Sequence, residues 1–585
     1  FFSARRCRFP HSVMLPPPPA NCAYDVQLTA RSRVAGGGQV LAQDAGAPSM
    51  ADIVIVNPRF GVSFWGMEQC MGLLGKRANL PVSCLALLAA LVPKEHDVTV
   101  IDENVEEIDF ERLERADLIC LTGMNVQGQR MREILERVRN MKALKVVGGP
   151  LATVEPEEIE DLADVIFIGE ADLTWPEFLR EFSEGQHKRR YEQREKTDMS
   201  TLPLPRLDLL KTQHYMFGSM QISRGCPFTC EFCDIIVTFG RKPRLKTSAQ
   251  VIAEFEAYVS AGFKILFVVD DNLIGNKKAI KPILRDIEAW QKRRGYPLVL
   301  FTEASLDLAD DPELMDLMGR ANFQSVFIGI ESPNEKSLKE TKKLQNVRAR
   351  EGTMAERVHR IQENGLDVWC GMIVGFDNDD ASAFALIPEF LEEARIGNAM
   401  IGLLHAIPTT PLHDRLKRDG RLSSAEDADL FGTNVVPVNM TPEDLRDGYR
   451  TVTRKVYGAQ SYFDRIDRLY IDNRFKYAAH HLPYWRESRW RYLQKMARNY
   501  VGFSVLAARL MRQVEHPQLR QRYQRQLMRI VRTRPLEPAI LFNYAVKVAL
   551  HYHYASIVQA MDACPGVPTA ARSFSRMRRR ESSAA

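Results

Sequence analysis

The sequence predicts an α/β protein with a helical C-terminal region, and three observations favour this fold class. The chain has 585 residues, which suggests roughly three or four domains because a single core stops growing well below that length. Short apolar runs alternate with helical stretches in two consecutive series, as is typical of parallel sheets covered by helices. Beyond about residue 411 the alternation stops and only helical periods follow.

Composition and charge narrow the class of protein. Hydrophobic residues make up 45% of the chain and charged residues 26%, and no apolar run reaches the ~18 residues that a membrane span needs. The ten cysteines show no framework spacing outside one loop, which predicts a reducing, cytoplasmic location. Residues 441–585 carry 27 Lys and Arg against 11 Asp and Glu, a net +16, which leaves −11 for residues 1–440.

Shifts in composition predict six segments. Residues 1–49 are rich in Arg, Pro, Gly and Ala, so we expect them to be disordered, or to precede a translation start at Met50. The other predicted segments are a first α/β domain at 50–185, a charged and proline-punctuated linker at 186–212, a second α/β domain at 213–425, a helical domain at 426–565 and a disordered tail at 566–585.

The first series predicts a doubly wound, Rossmann-like parallel sheet. Its predicted strands are 52–57, 97–102, 118–122, 145–148 and 165–169, with helices at 82–91 and 130–140. Ligands bind such sheets at the carboxyl ends of the strands. The candidate binding residues at these ends are Asn57, Thr122, Gly123, Met124, Asn125, Gly148, Gly149, Pro150, Gly169 and Glu170. The sequence lacks a G-x-G-x-x-G fingerprint, which weakens a nucleotide as the ligand; a domain without a ligand is the other alternative.

The second series predicts a partial (β/α)6 barrel. Its predicted strands are 221–223, 265–270, 298–302, 325–330, 368–375 and 400–407. Sites in such barrels lie at the carboxyl ends of the strands. Polar residues and glycines occupy these ends, namely Asp270, Asp271, Asn272, Glu303, Glu331, Gly371 and Gly375. The alternative for each carboxylate is a solvated strand end or a helix cap.

A cysteine motif stands in the loop after the first predicted barrel strand. Cys226, Cys230 and Cys233 follow each other at spacings of four and three residues, so three soft thiolates meet in one tight loop, as an iron–sulfur cluster requires. Three ligands leave one iron open to a substrate. A zinc knot or a disulfide loop is the alternative, but zinc needs a fourth Cys or His nearby, and the next candidates are His214 before the loop and Cys370 far after it.

This CxxxCxxC motif, with Phe232 directly before its last cysteine, resembles that of the radical S-adenosylmethionine (SAM) enzymes. The resemblance implies a [4Fe–4S] cluster on the three cysteines, whose open iron chelates SAM and whose electron cleaves it to a 5′-deoxyadenosyl radical. It also implies that Phe232 and the polar strand ends of the second series contact SAM. One departure is that Asp270-Asp271-Asn272 stands where the family usually has Gly-Gly-Glu.

The strand ends of the first series look like those of a cobalamin-binding domain. Thr-Gly-Met at 122–124, Gly-Gly-Pro at 148–150 and Gly-Glu-Ala-Asp at 169–172 carry this resemblance. It implies that the candidate residues from Asn57 to Glu170 contact cobalamin. Domains that ligate cobalt through histidine have Asp-x-His-x-x-Gly after the first strand, whereas this chain has Asn57-Pro-Arg-Phe-Gly. We therefore expect cobalamin without a histidine ligand from the protein.

Taken together, the two resemblances span residues 51–565. The chain is similar to the cobalamin-dependent radical SAM enzymes, in the bacterial group that includes the hopanoid 2-methylase. These resemblances imply a methyltransferase that acts on an unactivated carbon of a small molecule or lipid, with a reductase, flavodoxin or ferredoxin as electron donor. No catalytic side chain is assigned. One alternative is a radical cyclase or rearrangement enzyme with the same cofactors. A non-catalytic nucleic-acid-binding protein is disfavoured because most of the chain is acidic.

The C-terminal region predicts helices at 443–457, 462–470, 485–510, 517–532 and 538–560. Arg and aromatic residues are interleaved between residues 484 and 492. A basic, aromatic and amphipathic helix suits peripheral contact with an anionic membrane, although such a stripe is more often part of a core.

Overall fold

The structure is a computed structural model, and it describes residues 50–348, 351–423, 432–477 and 479–563. The predictions for residues 1–49 and 566–585 lie outside the described residues.

The first sheet has six parallel strands in the order β2-β1-β3-β4-β5-β6. The strands are β1 (Asp52–Asn57), β2 (Asp97–Asp102), β3 (Leu118–Thr122), β4 (Leu144–Gly148), β5 (Val165–Gly169) and β6 (Arg190–Gln193). In β1, Ile53 and Ile55 enter one hydrophobic core while Val54 and Val56 enter another. The strand is thus apolar on both faces because helices cover both sides of the sheet.

These helices are α1 (Glu68–Leu74), α2 (Ser83–Ala90), α3 (Phe110–Glu114), α4 (Gly128–Val138), α5 (Pro150–Val154) and α6 (Thr174–Ser183). Strand β6 lies in the segment predicted as a linker. Its mostly charged residues lack the apolar pattern that predicts a strand. In the structure, however, Tyr191 is buried and stacks on Phe167 with ring centroids 5.1 Å apart. The first sheet therefore extends to Gln193.

The second sheet is also parallel, in the order β14-β13-β12-β11-β10-β7. Its strands are β7 (Gly218–Met220), β10 (Ile265–Val268), β11 (Val299–Ala304), β12 (Phe323–Glu331), β13 (Asp367–Val374) and β14 (Ala399–Leu403), while β8 (Ser223–Arg224) and β9 (Arg244–Leu245) form a separate antiparallel pair. In β11, buried Leu300, Thr302 and Ala304 alternate with half-buried Val299, Phe301 and Glu303. The half-buried set lies on the concave face.

The first barrel strand was predicted at 221–223, but the structure has it at Gly218–Met220. The carboxylate of Asp270 accepts hydrogen bonds from the backbone N–H groups of Ile222 (2.7 Å) and Ser223 (2.8 Å). These donors are thereby withdrawn from the strand ladder, and the chain leaves the sheet before the cysteine loop.

The barrel helices are α7 (Ile235–Thr238), α8 (Ser248–Ser260), α9 (Lys277–Arg294), α10 (Pro312–Arg320), α11 (Glu335–Glu340), α12 (Leu344–Val347), α13 (Met354–Glu363), α14 (Ala383–Glu393) and α15 (Pro411–Arg418). The C-terminal helices are α16 (Pro442–Tyr457), α17 (Ala459–Asp467), α18 (Leu482–Glu487), α19 (Arg489–Gln513), α20 (Pro517–Thr533) and α21 (Pro538–Ala563).

The C-terminal helices pack against the amino-terminal ends of β13 and β14. Arg465 of α17 donates to the carbonyl of Ile396 (2.8 Å), and Lys547 of α21 forms a buried ion pair with Asp367. No helix in the described part of the chain combines the length and the apolarity that a bilayer crossing requires.

Candidate active site

The cysteine loop is held in place by backbone contacts. Gly225 precedes it with φ 95°, and a Cβ there would lie 2.9 Å from the carbonyl oxygen of Gly240. Only glycine combines this left-handed backbone with so close an approach. Cys226 N–H donates to the same Gly240 oxygen (3.2 Å), and Glu231 N–H donates to the carbonyl of Thr341 (2.9 Å).

Among the described residues, no group of three His, Cys, Asp or Glu side chains is placed to hold a single metal ion. A cubane cluster does not require this, because each thiolate binds its own iron. Burial raises the pKa of Cys226 and raises that of Cys233 to about 12. The protein alone thus keeps these groups as thiols, and bound metal must supply the charge that stabilises the thiolates.

Two amides donate to the sulfur atoms. Asn272 Nδ2 lies 3.9 Å from Cys226 Sγ, and Gln345 Nε2 lies 3.5 Å from Cys230 Sγ. Hydrogen bonds to sulfur tune the reduction potential of iron–sulfur clusters. Sequence reasoning identified Asn272 but missed Gln345, because it lies more than a hundred residues from its partner.

A buried cation, Lys343, lies beside the cysteine loop and was also missed. Its Nζ is 2.8 Å from Glu331 Oε1 at the carboxyl end of β12. Burial disfavours its charge, but Glu331 and Cys230 outweigh this effect, so the pKa of Lys343 is raised above its ordinary value. Glu331 itself has φ 66°, a left-handed conformation that is rare for a residue with a side chain.

The carboxylates at the ends of β10 and β11 differ in what they contact. Asp270 accepts from Ile222 N, Ser223 N and Ser223 Oγ, and Asp271 accepts from Gly225 N at 2.7 Å. Both therefore brace the loop.

The carboxylate of Glu303 accepts no hydrogen bond from any residue that the structure describes. Burial and the neighbouring Asp271 and Asp270 raise its pKa to about 8. With this pKa the group is mostly protonated at neutral pH, so a ligand meets a carboxyl whose O–H can donate and whose carbonyl oxygen can accept.

The remaining residues predicted to contact SAM lie around the same strand ends. Phe232 faces Phe376 with ring centroids 6.1 Å apart. Gly375 has φ 105°, and its N–H donates to Asp379 Oδ2 at 3.0 Å. A Cβ at Gly371 would lie 3.3 Å from the ring of Phe327, so these glycines keep the surface open.

The carboxyl ends of the first sheet form a second polar edge. Asn57 lies at the end of β1, where its Nδ2 donates to Asp102 Oδ1 (3.0 Å) and its Oδ1 accepts from Gln127 Nε2 (3.1 Å). Gly149 has φ 95°, and a Cβ there would lie 2.7 Å from Thr122 Oγ1. The remaining predicted residues on this edge or directly after it are Gly123, Met124, Asn125, Gly148, Pro150 and Gly169.

Glu170, also predicted at this edge, points instead to the cysteine loop. Its carboxylate is buried and lies 2.5 Å from Arg244 of β9, and Arg224 of β8 pairs with Asp172 at 2.5 Å. Arg224 is two residues before Cys226. We call these two ion pairs the interdomain latch, because they join the carboxyl edge of the first sheet to the cysteine loop.

The loop after β1 reaches the concave face of the barrel. The ring of Trp65, which is 48% exposed, lies 4.9 Å from that of Phe327 in β12. Phe267 and Phe301, on the neighbouring strands, stack at 4.4 Å. An aromatic surface thus extends from the first sheet into the barrel, and sequence reasoning identified none of these residues.

Comparison with known protein families gives three matches along the chain. Residues 79–179 match the B12 binding domain, residues 220–391 the radical SAM superfamily, and residues 410–564 a domain of unknown function (DUF4070). The cobalamin-binding OxsB, a radical SAM enzyme solved with aqua-cobalamin and SAM, has a similar fold with a TM-score of 0.54 at 14% identity, over 88% of this chain and 81% of OxsB. The predicted fold class is confirmed.

Two relatives are more similar in sequence. An uncharacterised methyltransferase of Synechocystis sp. is 38% identical over 72% of this chain and 78% of its own length. The hopanoid C-2 methylase of Rhodopseudomonas palustris is 34% identical over 63% of this chain and 71% of its own length. These matches confirm the resemblance that the cysteine motif and the strand ends indicated, and the chain belongs to the cobalamin-dependent radical SAM methyltransferases.

Proposed function

We propose that this enzyme methylates an unactivated carbon of an apolar small molecule or lipid, and that it does so with a [4Fe–4S] cluster, SAM and cobalamin. One observation carries the proposal: the interdomain latch brings the glycine-rich edge of the first sheet next to the cysteine loop. Two cofactors held at these places would lie next to each other, as methyl transfer between them requires.

The residues fit the three groups. Cys226, Cys230 and Cys233 hold the cluster. Phe232, Asn272, Glu303, Glu331, Gly371 and Gly375 line the SAM site, and Asn57, Thr122, Gly123, Met124, Asn125, Gly148, Gly149, Pro150 and Gly169 line the cobalamin site. Asp270, Asp271 and Glu170 act through the loop, since their oxygens already accept hydrogen bonds or ion pairs.

When bound, the cluster would supply the electron for reductive cleavage of SAM, and cobalamin would supply methyl transfer. The chain binds, orients and shields them. Glu303 offers an unengaged carboxyl group, Lys343 balances the negative charge of the thiolates, and Gln345 donates to one sulfur. An external reductase, flavodoxin or ferredoxin supplies the electrons, and the enzyme contacts a membrane peripherally.

The aromatic surface between the sheets supports an apolar substrate. Trp65, Phe301 and Phe327 offer flat aromatic rings, which suit a rigid hydrocarbon better than a polar metabolite. The relative from Rhodopseudomonas palustris, named for a hopanoid, agrees with a lipid of fused rings.

Product analysis tests the function. Anaerobically reconstituted enzyme, given the membrane lipids that accumulate in a deletion strain, should form S-adenosylhomocysteine and 5′-deoxyadenosine in equal amounts. 5′-Deoxyadenosine without S-adenosylhomocysteine would instead support a cyclase or rearrangement enzyme. F327A should raise KM several-fold, whereas F182A, which changes a half-buried ring of α6 that is not part of the aromatic surface, should leave it unchanged.

A further inference from the structure

One face of α19 presents apolar residues to solvent. Trp490, Leu493, Ala497, Val501 and Val505 follow each other at spacings of three or four residues, which puts them on one side of the helix. The four larger side chains are 71%, 55%, 62% and 45% exposed, in chain order. We call this set the apolar stripe.

The apolar stripe is not the face of α19 that packs into the hydrophobic core. The opposite face of α19 already packs inward through the buried Leu506 and Leu510. Next to the stripe, Tyr500 Oη donates to the carbonyl of Pro535 (2.6 Å), which places Leu536, 80% exposed, alongside it. Contiguous exposed apolar surface of this kind marks an interaction site in a folded protein.

The surroundings of the stripe are strongly basic. Residues 489–534 contain twelve Lys and Arg and only one acidic residue, Glu515, in the connection between α19 and α20. Arg498 and Arg512, on the exposed side of α19, form no ion pair with any residue that the structure describes. The partner of this surface must therefore be anionic as well as apolar.

We propose that the apolar stripe docks on an anionic membrane surface, with α19 lying in the plane of the headgroups. An apolar face flanked by arginines is the pattern of interfacial helices, and α19 does not have the character of a membrane-crossing helix. A second copy of this chain fits poorly, because its own stripe brings the same excess of cations against the first. The DUF4070 region, which contains α19, would then attach the enzyme to the membrane, and we call it the membrane platform.

The inference rests on the peripheral membrane contact of the proposed function and assigns it to a surface, and its test is independent of methyl transfer because binding is measured without turnover. Full-length reconstituted protein is sedimented at low salt with vesicles of phosphatidylcholine and phosphatidylglycerol, and with vesicles of phosphatidylcholine alone. We expect binding to the anionic vesicles that falls with added salt. L493E and the double variant R498Q/R512Q should each weaken it by about tenfold or more.

Matched controls isolate the stripe. L204E introduces the same charge at a leucine of similar exposure in the segment between the two sheets, and R115Q/R139Q removes two exposed arginines of the first domain; both should bind as the parent does. Reductive SAM cleavage in solution should be unchanged in L493E. A variant that does not fold would lose this activity as well as vesicle binding, and a wrong catalytic assignment would show in the parent protein as absence of SAM cleavage. No sedimentation with anionic vesicles, equal binding by L493E and L204E, or a dimer that L493E dissociates would each overturn the proposal.

Discussion

The surroundings of the cysteine thiols lead to a prediction about their substitution. Burial keeps Cys226 and Cys233 protonated in the protein alone, so their charge depends on iron. C226A, C230A and C233A should each abolish the [4Fe–4S] absorbance and EPR signal after anaerobic reconstitution, and reductive SAM cleavage with it. C370S, at a buried cysteine of β13, should retain the cluster. Stoichiometric zinc without iron in the parent protein would contradict the assignment.

His553 of α21 makes stability depend on pH. It is fully buried; its Nδ1 accepts from Gln69 N–H (3.3 Å) and its Nε2 donates to the carbonyl of Ser63 (2.9 Å). Burial lowers its pKa to about 4. Below pH 6.5 the unfolded chain binds a proton that the folded chain rejects, so this histidine should remove about 2 kcal/mol of unfolding free energy between pH 7 and pH 5.

Thermal denaturation across this pH range measures the effect. In H553Q the melting temperature should decrease less between pH 7 and pH 5 than in the parent, because the imidazole that titrates has been removed. H516Q, at an exposed histidine between α19 and α20, should keep the full dependence. An unchanged slope in H553Q would show that other groups control it.

Spacing along the chain identified the cysteines but not their partners. Lys343 and Gln345 belong to a charged and polar run that looks like ordinary surface, and Trp65 is a single aromatic residue in a loop. Their roles arise from contacts with residues far away in sequence, such as Phe327 for Trp65. Periodicity carries no information about such pairs, whereas a motif of three cysteines is complete within one loop.

Among the elements, the interdomain latch couples the first sheet to the cysteine loop. The Arg244–Glu170 pair is almost fully buried. R244L leaves the Glu170 charge buried without its main partner, and breaking a buried pair in this way costs about 3–5 kcal/mol. The melting temperature should fall, and cluster content after reconstitution should fall with it.

The double variant R244L/E170L should recover most of that stability, because no charge is then left unpaired. R194L, which removes an exposed arginine paired with Glu192, should have little effect, as expected for surface ion pairs. If R244L behaves like R194L, the latch does not hold the two domains together.

The bounds of the strands were predicted correctly where both faces of the strand are apolar. The bounds predicted for β1, β2, β3 and β5 match those of the structure, since β-branched runs buried on two sides leave few alternatives. Strand β6 was missed because its residues are mostly charged. Strand β7 was predicted three residues too late, because the carboxylate of Asp270 accepts a hydrogen bond from the backbone N–H of Ile222 and thereby keeps this residue out of the sheet. Both errors depend on tertiary contacts that override local pattern.

At the scale of the whole molecule, one face of the first sheet, the barrel and the C-terminal helices share a continuous hydrophobic core. The C-terminal region is therefore a structural part of the barrel as well as the carrier of the apolar stripe. Deleting residues 441–585 should unfold the barrel, so that truncation cannot separate membrane binding from catalysis. Point variants on the exposed face of α19 are needed instead.

The buried pair between Lys547 of α21 and Asp367 of β13 allows this dependence to be measured. Lys547 also lies over the ring of Trp369, 4.7 Å from its centroid, and Tyr470 donates to the same carboxylate at 3.3 Å. K547M leaves Asp367 buried and unpaired, and should lower the unfolding free energy by about 3–5 kcal/mol.

K547M should also lower the resistance of the barrel to proteolysis, because β13 loses the helix that covers its amino-terminal end. K547M/D367N should regain part of the loss, since the neutral amide still accepts from Tyr470. K455M, at an exposed lysine of α16, serves as the matched control. A barrel that resists protease equally in K547M and K455M would mean that the C-terminal helices fold independently, and the membrane platform would then be a separable domain.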